Sequence, residues 1–113
     1  MNDKEIFGKI AELEEQNTPF CCATIIEAKG STPREVGAKM LILADGTTFG
    51  SIGGGCGENQ ARSAALRCLL TEGKPEVVTV DLTSDFGTRG EDVCGGKMKI
   101  FVEPLSCPFR LKS

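Results

Sequence analysis

Cys56 is the side chain of this sequence best placed to act as a nucleophile, because glycines surround it. Four of the six residues before it are glycine, and a fifth glycine follows it. Glycine has no Cβ and tolerates positive φ, so such a run lets another group approach the backbone closely. The run lies between a strand-like segment, 47–52, and a helix-like segment, 58–70, and a glycine loop that enters a helix presents N–H groups to an anion. The pattern predicts a binding loop with a thiol at the positive end of a helix, where the thiolate is favoured. The alternative is a tight connection with a small buried cysteine.

A second cysteine also stands beside glycines. Cys94, Gly95 and Gly96 directly precede the last strand-like segment. If that strand lies near the Cys56 loop, the two thiols face one site, where they could hold a soft metal, a sulfur atom in transfer or another ligand. A regulatory disulfide and a simple bend with a buried cysteine are the alternatives.

A third loop, residues 30–37, combines hydroxyl side chains with a cation. Ser31 and Thr32 precede Pro33 and Arg34. A planar guanidinium with several donors, beside a turn stiffened by proline, suits a phosphate or another oxyanion. The alternatives are an ordinary surface arginine and hydroxyls that form a turn.

Composition and motif spacing exclude several classes of function. The chain has no histidine, so it contains no Ser-His-Asp triad and no zinc site with imidazole ligands. The glycine run lacks the Lys-Ser/Thr ending of a P-loop and the spacing of a dinucleotide fingerprint. A net charge of −3 without a basic stripe argues against a nucleic-acid partner. Without a signal peptide or an apolar run of membrane-spanning length, the sequence predicts a cytoplasmic protein whose six cysteines are reduced.

Three further cysteines have structural explanations. Cys21 and Cys22 are adjacent in a strand-like segment, so their side chains should point to opposite faces of a sheet. Cys68 lies on the apolar face of a predicted helix and is expected in the core.

Hydrophobic periodicity predicts helices over residues 2–16 and 58–70, and strands over 20–28, 38–44, 47–52, 77–82 and 97–103. Asp45-Gly46 predicts a two-residue type I′ turn between the second and third strands. The strand–loop–helix order around Cys56 predicts a crossover connection. We therefore expect one α+β domain, residues 1–113, with a mixed β-sheet of about five strands and two helices packed on it.

Together these loops resemble the XdhC/CoxI family, accessory proteins of xanthine dehydrogenase and related molybdenum hydroxylases. The resemblance extends from about residue 10 to residue 105. It rests on four motifs in order: Ala23–Arg34, Gly37–Leu41, Gly50–Cys56, and the stretch from Cys94-Gly95-Gly96 to Phe101-Val-Glu-Pro104.

The resemblance implies a maturation chaperone that binds molybdenum cofactor transiently and assists its sulfuration or its insertion into apo-enzyme. It favours a non-catalytic chaperone over an enzyme; a cysteine-dependent sulfur-transfer enzyme and a thiol redox or structural module are the alternatives. The positions that match the family motifs, and are therefore expected to bind cofactor, are Ser31, Arg34, Gly53, Gly54, Gly55, Cys56, Cys94, Gly95 and Gly96. Among these, Cys56 and Cys94 are the expected metal ligands.

The resemblance also implies partners. The expected client is an apo molybdenum hydroxylase of the xanthine dehydrogenase type, with a cysteine desulfurase as sulfur donor. Neither nucleic acid nor a membrane is expected. A homodimer is a further expectation, because a lone domain can self-associate to cover apolar surface. Typical members carry a second, Rossmann-like domain, and residues 1–113 resemble the domain that precedes it.

Overall fold

A five-stranded sheet forms the centre of the fold, and one helix packs on each of its faces. The computed structural model describes residues 2–30, 34–53, 55–71, 73–81 and 96–106. Its elements are, in chain order, α1 (Asp3–Glu15), β1 (Phe20–Lys29), β2 (Lys39–Leu43), β3 (Thr48–Gly50), α2 (Gly55–Leu70), β4 (Glu76–Asp81) and β5 (Lys97–Ser106). The predicted α+β class, with five strands and two helices, is confirmed. No helix within these ranges has both the length and the apolar character that crossing a membrane requires.

Helix α1 begins where the sequence provides a capping box. The side-chain oxygen of Asn2 accepts a hydrogen bond from the backbone N–H of Glu5 at 2.8 Å, and the Glu5 carboxylate accepts one from the N–H of Asn2 at 2.9 Å. These bonds satisfy N–H groups that have no partner within the helix. After the helix, Asn17 adopts a φ of 56°, a left-handed conformation that asparagine tolerates.

Strand β1 separates two layers of hydrophobic core, because alternate side chains of a strand point to opposite faces. Cys21, Ala23 and Ile25 belong to the layer beneath α2. Phe20 and Cys22 belong to the layer beneath α1. The prediction that Cys21 and Cys22 point to opposite faces is therefore confirmed. The apolar face predicted for the second helix lies in the first of these layers, with Ala61, Ala65, Cys68 and Leu69 all buried.

The sheet differs from the mixed arrangement expected from the crossover, since all of its ladders are antiparallel. The strand order is β3-β2-β1-β5-β4. Helix α2 does connect two strands that run in the same direction, β3 and β4. These strands lie at opposite edges of the sheet, however, so a crossover is present without a parallel ladder.

The β2–β3 hairpin closes with a three-residue loop, and the predicted two-residue type I′ turn is wrong. The N–H of Leu43 donates to the carbonyl of Thr47 at 2.8 Å, and the N–H of Gly46 donates to the carbonyl of Leu43 at 2.9 Å. A type I′ turn needs positive φ at both central residues. Gly46 has a φ of 93°, but Asp45 is not among the described residues with positive φ. The Asp45 carboxylate instead accepts a hydrogen bond from the N–H of Thr47 at 2.9 Å, which stabilises the longer loop.

Gly50 is required by the close packing of α1 and β2 around the end of β3. Its φ is +81°, and a Cβ built on it would lie 2.7 Å from the carbonyl oxygen of Lys39 and 2.8 Å from Cδ1 of Ile6. Both distances are shorter than real Cβ contacts, and the Lys39 oxygen belongs to the backbone of a paired strand. The first glycine of the glycine run therefore serves packing.

Replacement of Gly50 by alanine should lower the free energy of unfolding by about 2–4 kcal/mol, from the left-handed conformation and the steric overlap together. Gly46→Ala is the matched control, because Gly46 also has positive φ but a Cβ there meets nothing within 4 Å. Urea unfolding of both variants measures the difference. Equal losses of stability would show that the overlap at Gly50 has no energetic effect.

Cys22 is a buried thiol in the layer beneath α1, with 3% of its surface exposed. Burial raises the pKa of the Cys22 thiol above its ordinary value, while a hydrogen bond with Thr24 and the charge of Lys39 partly oppose this effect. The charge of Glu103 acts in the same direction as burial. The thiol is therefore held in its neutral form.

This raised pKa predicts a loss of stability in alkali. The folded protein keeps the Cys22 proton to higher pH than the unfolded chain does. The resulting contribution is complete below the ordinary thiol pKa of 9.0 and is lost as the pH rises above it toward the folded pKa. The difference in unfolding free energy between the parent and Cys22→Ala should be constant below pH 9 and should shrink above it. A difference that stays constant through this range would contradict the assignment.

Candidate functional site

The glycine run leads directly into α2, and Cys56 is the second residue of that helix. The helix begins at Gly55, earlier than the predicted start at residue 58, so the thiol lies in its first turn. Gly53 and Gly55 have φ values of +119° and +63°, which L side chains rarely adopt. The Cys56 side chain is exposed. It therefore lies at the end of α2 where backbone N–H groups concentrate partial positive charge.

Glu58 connects the glycine loop to α2. One carboxylate oxygen, Oε2, accepts a hydrogen bond from the hydroxyl of Ser51 at 2.6 Å and another from the backbone N–H of Ile52 at 3.2 Å. The Ser51 hydroxyl in turn accepts one from the N–H of Gly53 at 3.0 Å. The side chain of Ile52 is fully buried in the layer beneath α2. The loop is thus held by polar bonds and by one apolar anchor.

Arg34 is brought to the same loop from a distant part of the sequence. Its Nη1 donates a hydrogen bond to the carbonyl oxygen of Ser51 at 3.1 Å. Two of the loops that the sequence analysis selected, residues 30–37 and the glycine run, therefore meet at Ser51.

An open cleft of about 430 Å³ also borders Arg34, but it is not an anion site by itself. Asp3 and Glu35 line the cleft with Val36. Two carboxylates would oppose the approach of an anion. The predicted binding of an oxyanion by Arg34 therefore depends on the glycine loop.

The first turn of α2 packs closely on the beginning of β5. A Cβ built on Gly57 would lie 3.1 Å from Cε of Met98, a tight contact with a flexible side-chain end. Gly96, which precedes β5, is buried. The last glycine of the run therefore allows α2 to approach the strand that follows the Cys94 segment in the sequence.

Of the predicted cofactor-binding residues, the structure brings together Arg34, Gly53, Gly55 and Cys56 around Ser51 and the start of α2. Ser31, Gly54, Cys94 and Gly95 lie outside the described residues, so the shared site of Cys56 and Cys94 stays a prediction. Among the parts of the chain that are described, no group of three or more His, Cys, Asp or Glu side chains is arranged to hold a metal ion.

Sequence analysis missed Ser51 and Glu58 as parts of this site. No standard pattern could have found the pair, because a capping box places the glutamate three residues after the serine, and these two residues are seven apart. The connection of this pair to Arg34 had no local signal, since Arg34 lies seventeen positions before Ser51.

The assembled groups suit a ligand with two kinds of chemistry. The guanidinium of Arg34 and the N–H groups of a helix start favour an oxyanion. The exposed thiol of Cys56 favours a soft metal or a sulfur atom. A Cβ on Gly55 would meet nothing within 4 Å, so the surface beside the helix start has room for a ligand.

Cys56 should be alkylated by iodoacetamide in the native protein at least about tenfold faster than Cys21, Cys22 and Cys68, because exposure limits the reaction of buried thiols. The last three are at most 4% exposed. Mass spectrometry of proteolytic peptides at successive times measures each rate. In guanidinium chloride the four rates should converge, which is the control. Equal rates in the native protein would contradict the structure around Cys56.

Comparison with known proteins places these features in a family. A sequence model of the XdhC and CoxI family matches residues 13–81, which include Arg34, the glycine run, Cys56 and α2. The chain is similar to the uncharacterized protein YqeB of Escherichia coli (strain K12), with 40% identity over 97 residues. That match covers 86% of this chain and 18% of YqeB.

The fold is also similar to a solved structure, that of a xanthine dehydrogenase from Bacillus halodurans. The TM-score is 0.76 and the identity is 32%, and the match covers 97% of this chain and 32% of the other. The chain therefore spans less than a third of the length of one relative and less than a fifth of the other. Because the family match covers more than half of the chain and includes the site, this protein belongs to the XdhC and CoxI family.

Proposed function

We propose that this domain binds molybdenum cofactor as a transient cargo and takes part in the maturation of a molybdenum hydroxylase of the xanthine dehydrogenase type. The observation that carries the proposal is the hydrogen bond from Arg34 to the carbonyl of Ser51, which joins the Arg34 loop to the loop that presents Cys56. Membership of the XdhC and CoxI family supports the same role.

The anionic part of the cargo fits the basic side of the site. The cofactor is a pterin that carries a phosphate. Arg34 offers a planar set of N–H donors, and the start of α2 offers backbone N–H groups with the favourable end of the helix dipole. Because both groups belong to loops that meet at Ser51, one phosphate can be bound by both.

The metal end of the cargo fits the thiol. When bound, the cofactor supplies a soft metal with sulfur ligands, and a thiolate is a suitable additional ligand for such a metal or a partner for its labile sulfur. Cys56 is exposed for this purpose. Cys94 is the proposed second thiol. The packing of Gly57 on Met98 supports this, since the strand that follows Cys94 begins beside the helix that carries Cys56.

An exposed site suits a cargo that has to be passed on. Arg34 and Cys56 are both exposed, and the loops that carry them lie at the surface. In the proposed sequence of events, a cysteine desulfurase supplies sulfur for the cofactor, and an apo molybdenum hydroxylase receives the cofactor. The domain itself binds and orients the cargo between these steps.

Binding of isolated molybdenum cofactor tests the proposal. The protein is incubated with cofactor and desalted, and the retained pterin and molybdenum are measured separately. Arg34→Ala should weaken pterin retention by about tenfold to a hundredfold, the usual effect of losing a charged hydrogen bond. Cys56→Ser and Cys94→Ser should lower the retained molybdenum.

Arg62→Ala is the matched control for Arg34, because Arg62 lies on α2 and its Nη1 donates to the side chain of Asn59 on the same helix at 3.3 Å. This variant should bind cofactor as the parent does. If Arg34→Ala, Cys56→Ser and Cys94→Ser all retain as much cofactor as the parent, the proposed site is wrong.

A further inference from the structure

We propose that Glu58 is the positioning residue of this site: its carboxylate fixes the glycine loop on α2 and so sets the relative positions of Arg34 and the Cys56 thiol. The inference deepens the proposed function and rests on it for the effect on cofactor. Its structural consequence, the ordering of the loop, is independent of any ligand.

The contacts of Glu58 are short and converge on the loop backbone. The Ser51 hydroxyl approaches its Oε2 at 2.6 Å, a short O–H···O hydrogen bond. The same oxygen accepts the N–H of Ile52 at 3.2 Å. One carboxylate oxygen therefore binds two consecutive residues of the loop.

Ser51 connects Glu58 to two further residues, Gly53 and Arg34. Its hydroxyl accepts the N–H of Gly53 at 3.0 Å, and its carbonyl accepts Nη1 of Arg34 at 3.1 Å. Glu58 is thus connected to Arg34 through a single residue. A loop that moved away from Glu58 would move the acceptor that positions the guanidinium.

The loop needs such a restraint because of its composition. Glycines lose more conformational freedom on ordering than other residues do, so a glycine-rich loop is ordered only where specific bonds compensate. The buried side chain of Ile52 anchors the loop on its apolar side. Glu58 supplies the polar bonds at the same residue and at Ser51.

The position of Glu58 on α2 separates its role from that of Cys56. The Glu58 carboxylate bonds to the loop at Ser51 and Ile52, whereas the Cys56 thiol is exposed. Glu58 therefore acts through the loop and is not expected to contact the cargo.

Three substitutions of Glu58 separate the effect of side-chain length from the effect of negative charge. Glu58→Gln keeps the length of the side chain and an acceptor oxygen for Ser51 and Ile52. Glu58→Asp keeps the negative charge near the helix start but is shorter by one methylene. Glu58→Ala removes both. If Glu58 positions the loop, Gln should preserve function and Asp should resemble Ala.

The first readout is hydrogen exchange of the peptide that contains residues 50–57, measured without ligand. In Glu58→Ala and Glu58→Asp this peptide should exchange at least about tenfold faster than in the parent, because the hydrogen bonds to Ile52 and Gly53 are lost or weakened. Glu58→Gln should stay within about threefold of the parent. Glu76→Gln is the matched control, since Glu76 forms an ion pair with Arg67 at 2.7 Å near the other end of α2 and should leave the loop unchanged.

The second readout is retention of isolated molybdenum cofactor. Glu58→Ala and Glu58→Asp should bind it about tenfold more weakly, with Glu58→Gln near the parent. Ser51→Ala, which removes only a hydroxyl, should weaken retention in the same direction and covers the case in which Glu58→Ala does not fold.

The two readouts separate the two proposals. If the parent retains no cofactor, the proposed function fails, and faster exchange in Ala and Asp but not in Gln still supports the positioning role. If the parent binds cofactor and Glu58→Asp equals the parent in both readouts, the charge at the helix start is sufficient and the positioning role is overturned. Unchanged exchange in Glu58→Ala overturns it as well.

Discussion

Ser51 is the point on which the candidate site depends. Its hydroxyl donates to Glu58 and accepts from Gly53, and its carbonyl accepts from Arg34. A residue between a strand and a glycine loop thus connects the sheet edge, the start of α2 and a distant arginine. These bonds place the exposed guanidinium of Arg34 against the loop that leads to the exposed thiol of Cys56.

Glycine is needed at different positions of the loop for different physical reasons, although these residues form one motif in the sequence. Gly50 leaves space for Ile6 of α1 and the backbone at Lys39. Gly53 and Gly55 provide positive φ for the turn into the helix. Gly57 lets α2 approach Met98. At Gly55 the positive φ explains the residue type, and the space where a Cβ would lie is open.

Much of the fold followed from local pattern, because alternation and capping are local. The opposite orientation of Cys21 and Cys22 and the burial of Cys68 on the apolar face of α2 were both predicted and are observed. The hairpin loop was mispredicted because the backbone N–H of Thr47 donates to the Asp45 carboxylate, and this bond stabilises a longer loop than the type I′ turn. The start of α2 was placed late because glycine has low helix propensity, and packing on β5 together with the bonds of Glu58 outweighs it.

The features that could not be predicted all depend on contacts between residues that are far apart in the sequence. The strand order of the antiparallel sheet places β3 and β4 at opposite edges. No local sequence pattern indicates this order. The bond between Arg34 and Ser51 has no periodicity from which it could be inferred. The motifs selected the arginine loop and the glycine loop, but only the fold places one against the other. The proximity of Cys56 and Cys94 stays a prediction.

Strand β4 illustrates how a sheet edge can resist unwanted association. In the described part of the sheet it is an edge strand, and its Val-Val-Thr-Val core has high β-propensity, with Val77 about half exposed. Such a segment is a template for intermolecular pairing. Glu76 and Asp81 stand at its two ends, and Glu76 forms an ion pair with Arg67 of α2, so a second strand that pairs here has to desolvate charged groups. Charged side chains at both ends of an otherwise apolar edge strand therefore disfavour aggregation through this strand.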